Sequence, residues 1–105
     1  MKGTERELEE KFRNAVRRAG GRAYKFISPG NAGVPDRLVV LPGGRCGFVE
    51  LKRPGECPRA DQRLQIRRLT ELGCVAAVID RESQIPGVLA AIRREQEDRR
   101  EEDGI

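Results

Sequence analysis

Histidine and tryptophan are absent from this chain, and aromatic residues make up only 4% of it. Without histidine, the commonest metal ligand and neutral-pH proton carrier is missing. The cysteines, Cys46, Cys57 and Cys74, are odd in number and show no CxxC spacing. No structural zinc site is expected, and reduced thiols in a cytosolic compartment are their simplest use. Tyr24 and Phe26 are too few for a base-stacking platform, so any nucleic acid would be recognised through backbone and shape. Long apolar runs are lacking too. The longest, Cys74 to Ile79, is far too short to span a bilayer, and no secretory leader is recognisable. A membrane partner is not expected.

What the chain has is charge. Charged residues account for 36% and hydrophobic ones for 37% of its 105 residues, enough for one small domain with a thin core. The apolar residues are grouped in short runs, which marks a folded chain, and so thin a core would gain from dimerisation. Lys and Arg total 21 against 17 acids, a net +4 with an isoelectric point near 9.3. That balance suits a polyanion, because each cation placed on a phosphate releases counterions. Arg17, Arg18, Arg22, Arg37, Arg53, Arg59, Arg63, Arg67 and Arg68 are the cations able to follow a phosphate backbone, which the planar guanidinium fork grips two oxygens at a time.

Residues 4 to 19 carry Leu8, Phe12, Ala15, Val16 and Ala19 at helical spacing, with Thr4 and Glu7 placed as a capping box and Gly20-Gly21 as the stop. "AYKFI" (23–27) alternates as a short strand, and "SPGNAGVP" breaks it. "RLVVL" (37–41), the turn "PGG" and "RCGFVELK" (45–52) form a β-hairpin. A second helix runs from about Ala60 to Leu72. "CVAAVI" (74–79) has the pattern of a fully buried central strand, and a last helix begins after Pro86. One domain over residues 1–92 accounts for these elements. Residues 93–105, with no apolar face, read as a frayed or solvated tail.

Three charges interrupt the hairpin. Glu50 and Lys52 are two residues apart, so they project from one face, about 7 Å apart along the strand. Asp36, at the head of the partner strand, is carried beside them. Two carboxylates held together repel unless a cation neutralises them, and Mg²⁺ takes one or two carboxylates together with waters and phosphate oxygens. An exposed Glu50–Lys52 ion pair would be the bland alternative, but Asp36 argues against it.

These residues carry a family resemblance. "GVPDR" and "FVELK" resemble the PD-(D/E)xK nuclease motif, and the wider "KFISPGNAGVPDRLVVLPGGRCGFVELKRPG", followed by "DQRLQIRRLTELG", is similar to stand-alone, phage-type VRR-NUC domains over about residues 5 to 82. The resemblance implies an α/β fold with a restriction-endonuclease-like αβββαβ core, a mixed sheet flanked by helices. It implies that Asp36, Glu50 and the backbone carbonyl of Leu51 bind metal, that Lys52 is the catalytic lysine, and that Gln62 belongs to the site. On position alone, Gln62 would be an ordinary polar residue at a helix start.

The family also places a glutamate on the first helix. "ERELE" fits that pattern with Glu5 as the acid, whereas Glu9 lies deeper and fits by its distance to Gly20; both remain candidate metal residues. Arg53 and Arg59 flank the ExK strand and are the first choices for DNA contact. The implied activity is Mg²⁺-dependent DNA endonuclease, with Mn²⁺ as a substitute ion. The implied substrate is branched DNA such as four-way (Holliday) junctions, cut by a homodimer in the cytoplasm of a bacterial cell or a phage-infected host. Two rivals remain: a non-catalytic DNA-binding module on the same fold, and a structural adaptor. The first should have lost its acids, and the second would make no use of the basic surface, so salt-sensitive DNA binding separates it from the other two.

Overall fold

Thr4 starts the first helix as its composition suggests: its hydroxyl accepts the Glu7 backbone N–H at 3.1 Å, and helix α1 runs Glu5–Arg18. A computed structural model describes the backbone of residues 4–103 and the side chains of residues 4–94. Leu8, Phe12 and Val16 form the buried stripe of α1. Strand β1 is Arg22–Lys25, shorter than the alternation of 23–27 suggests, and the hairpin is β2 (Arg37–Leu41) and β3 (Arg45–Leu51). Helix α2 (Ala60–Glu71) leads to β4 (Val75–Ile79). A short 3₁₀ turn, Glu82–Gln84, precedes helix α3 (Ile85–Asp103). Pro86 sits in the first turn of α3, where its missing N–H costs nothing. The backbone of the expected tail is thus helical as far as Asp103. Its side chains from position 95 onward, and residues 104–105, lie outside the described residues.

The four strands lie in the order β1-β2-β3-β4. The first three are antiparallel neighbours, and β4 joins β3 in parallel by way of α2, so the sheet is mixed. One face packs against α1 and α3. There Phe12 and Val16 meet Val39, Leu41, Val49, Leu51 and Ile79, with Ile85, Leu89 and Ile92 from α3 closing the core. Each such side chain taken fully out of water contributes about 1.5–3 kcal/mol. Gly47 lets α3 approach, since a Cβ there would stand 2.6 Å from the Ile92 side chain.

The other face carries α2. One expectation fails here: "CVAAVI" forms an edge strand, not a central one, and four of its five strand residues are only half-buried. A parallel strand is covered by helices on both faces, and that cover makes its sequence continuously apolar wherever it stands in the sheet.

The segment between β1 and β2 is fastened from two sides. Phe26 donates its backbone N–H to the Asp36 carbonyl at 2.7 Å. Gly33, at φ +89°, lies against the start of α2, where a Cβ would stand 2.5 Å from the Asp61 carbonyl oxygen. Gly33→Ala therefore meets both a left-handed backbone and a blocked contact. It is expected to lower stability by about 1–3 kcal/mol, a drop of several degrees in Tm measurable by thermal denaturation.

Candidate active site

The antiparallel pairing sets Arg37 opposite Val49. One further step along the same register puts Asp36 opposite Glu50, on the face that Leu38 and Phe48 share. Lys52 follows Glu50 on that face, its backbone held by a 2.9 Å bond from its N–H to the Ile79 carbonyl of β4. The Lys52 ammonium stands 3.8 Å from Glu50 Oε2, and both residues are buried, at 7% and 8% exposure. Phe48, packed edge-to-face on Phe26 at 5.7 Å, flanks the acid pair from within the sheet.

Gln62 closes the site from α2. It is buried, and its amide nitrogen donates to Glu50 Oε2 at 3.3 Å. Its amide oxygen accepts the Arg59 backbone N–H at 2.9 Å, at the beginning of the helix. The second bond settles the first: with the oxygen facing the helix start, the amide can present only its N–H₂ to the carboxylate. Gln62 is thus both a helix-start residue and a member of the site.

Burial is the main reason that the Glu50 carboxyl is raised above its ordinary value of 4.5, and the nearby Asp36 charge pushes the same way. The Lys52 ammonium, a backbone hydrogen bond from Asp36 and the Arg59 guanidinium oppose this without cancelling it. Arg59 stands at the mouth of the site, largely exposed and paired with Asp61 at 3.2 Å, and that bond holds the Asp61 carboxyl below its usual range. Arg53 is exposed on the strand exit, its backbone N–H bound to Glu56 at 3.1 Å.

The first helix contributes differently. Glu9 forms an ion pair with Arg37, whose side chain is buried on the α1 face of the sheet. Glu5 is exposed. Among the described residues, no three acidic or cysteine side chains lie close enough to share an ion, so neither glutamate joins Asp36 and Glu50. Arg37 is not a surface cation. Strand alternation places Arg37 with Val39 and Leu41 on the buried face, and that periodicity was available in the sequence. The part played by Gly33 left no comparable trace, because its neighbour Asp61 is remote in the chain.

No family model matches the chain. A relative in Acyrthosiphon pisum secondary endosymbiont phage 1, "Putative nuclease p44", is 46% identical over 88 residues, covering 84% of this chain and 94% of its own. A solved "VRR_NUC domain" superposes with a TM-score of 0.76 at 26% identity, over 84% of this chain and 97% of that one. A solved "VRR_NUC domain protein" has the same fold, with a TM-score of 0.66 at 20% identity over 90% and 92% of the two chains. The fold and the phage relative place the chain in a nuclease class. Within it, the chain belongs to the VRR-NUC family.

Two outcomes follow from this geometry. Glu9→Gln leaves the buried Arg37 guanidinium without its counter-charge and should lower Tm clearly, whereas Glu5→Gln should not; differential scanning calorimetry separates them. Glu50 gives a pH signature in chelator. Below pH 4.5 it is protonated both folded and unfolded, and above that the unfolded chain ionises first. Its contribution to stability therefore falls as pH rises through the folded value. The stability of Glu50→Gln relative to wild type should accordingly increase with pH across that window, measured by urea denaturation.

Proposed function

We propose that this nuclease hydrolyses DNA phosphodiesters at the Asp36–Glu50–Lys52 centre with the help of a divalent cation, Mg²⁺ or Mn²⁺. The observation that carries the reading is a buried Glu50 facing a second acid, Asp36, across the hairpin register. That is a site with surplus negative charge and hard oxygen donors, which fits such an ion. The Asp36 and Glu50 carboxylates and the Leu51 carbonyl would hold it. When bound, the ion supplies charge neutralisation and polarises the phosphoryl oxygens.

The protein's own groups supply the rest. Lys52 can donate hydrogen bonds to the attacking water or to charge developing on the phosphate, in a buried setting that strengthens both. Gln62 fixes the orientation of the Glu50 carboxylate. Arg59, and Arg53 beyond it, offer forks for the flanking phosphates. These contacts reach phosphates, not bases, which favours recognition by shape over recognition by sequence.

Branched DNA, four-way junctions included, is the substrate we infer from the family resemblance, and two opposed nicks call for a symmetric homodimer. Action inside a bacterial or phage-infected cell accords with the phage relative, and no helix among the described residues is long and apolar enough to cross a membrane. The non-catalytic alternative gains nothing from a site in which both acids and the lysine are present.

The test is cleavage of linear, flap, splayed and four-way-junction DNA with Mg²⁺, Mn²⁺ or chelator. Asp36→Ala should abolish cleavage while DNA binding survives. Lys52→Met should keep metal and DNA affinity within a few-fold, yet slow single-turnover cleavage by on the order of 100-fold or more. Lys52→Arg should not restore the rate, because the wide fork cannot occupy the ammonium's position. Near-wild-type cleavage by Lys52→Met at saturating Mg²⁺ would reduce Lys52 to a counter-ion.

A further inference from the structure

At the opposite end of β1 and β2 from Asp36, α1 and the edge strand β1 enclose a cavity of about 480 Å³. Arg13, Arg17, Arg22 and Tyr24 line it together with the Gly20-Gly21 turn, and none of its lining residues is acidic. Arg13 and Arg17 are four apart on α1, hence on one stripe. Arg22 and Tyr24 are two apart on β1 and share a face, while Ala23 between them turns to the core. All three arginines are exposed, and among the described residues no ion pair ties any of them to an acid.

A second cavity, of about 210 Å³ near the start of α1, shows the contrast. Its cations are already engaged, Lys11 with Glu82 at 3.1 Å and Arg81 with Asp80 at 3.2 Å. The arginine groove keeps its charge for something else.

We propose that this groove is a second DNA-backbone site, which takes phosphates of the substrate away from the point of cleavage, with the Tyr24 ring against the sugar or base. The inference rests on the nuclease reading above and extends it. Arg22 lies opposite Val40, four residues along β2 from Asp36, roughly 13 Å at ~3.3 Å per residue. A DNA segment gripped there is held on the same molecule as the cutting centre, several nucleotides away. Three arginines among the residues that line one concave space match the spread of charge on a phosphodiester chain. Tyr24, 50% exposed, is the chain's single tyrosine, so its ring signal is unambiguous.

The experiment measures binding of a four-way junction and a long linear duplex in chelator across a salt series, for wild type, Arg13→Ala/Arg17→Ala and Arg22→Ala. Thermal denaturation checks folding; these surface changes should be close to neutral. The double variant should bind about tenfold more weakly, with a salt slope shallower by about 0.9 for each phosphate no longer neutralised. With Mg²⁺, its cleavage should fall at low DNA concentration and recover as DNA is raised, a defect in KM and not in kcat. In wild type carrying isotope-labelled tyrosine, the Tyr24 ring resonance should move on adding DNA. Unchanged affinity and slope in both variants, or an unmoved Tyr24 resonance, would overturn the groove assignment. Wild-type cleavage with unaltered variants removes the groove and leaves the nuclease centre standing. Variant-sensitive binding without any cleavage supports the groove and removes the catalytic reading.

Discussion

The register between β2 and β3 is the constraint on which the rest of this protein depends. Because Arg37 pairs with Val49, Asp36 falls opposite Glu50 on one face, while Val39, Leu41, Val49 and Leu51 face α1 and α3. A slip of one residue would turn the acids into the core and the core into water. Hydrophobic burial and site assembly are therefore not separate achievements. The burial of Val39 and Val49, both wholly out of solvent, fixes the face on which two like charges must confront each other.

The same alternation accounts for the supporting contacts. Arg37 and Asp36 are neighbours in the chain and point to opposite faces of the sheet. Glu9 of α1 takes the guanidinium on one side, while on the other the Asp36 carboxylate faces Glu50, which Lys52 and Gln62 contact. Asp36 is also held through its backbone, by Phe26 at the carbonyl. The packing of Gly33 on the start of α2 ties the loop before Asp36 to the helix that brings Gln62.

Much of this was legible in the sequence. Period-2 alternation with the Pro-Gly-Gly turn gives the hairpin, and helical spacing with caps gives α1 and α2 to within a residue or two. Asp36, Glu50 and Lys52 come together because their contact is local to the hairpin. Gln62 reaches Glu50 through a crossover, and only the family pattern marked it in advance. What stayed hidden depends on tertiary neighbours. The edge position of β4 was concealed because helices cover both of its faces. The pairing of Glu9 with Arg37, and the approach of Gly33 to Asp61, join positions far apart in the chain.

The crossover between β3 and β4 divides the centre into parts of unequal resilience. The acids and the lysine stand on a hairpin closed by a short turn, where loop closure costs little entropy. The glutamine that orients Glu50 arrives on α2, whose apolar side chains Leu64, Ile66 and Leu69 are only half-buried. Native proteins open first where few apolar contacts hold them. A fluctuation that lifts α2 would leave the charges in place and the sheet intact, yet release Glu50 from its hydrogen bond. Function in this chain would then be lost before structure, at the least firmly packed layer.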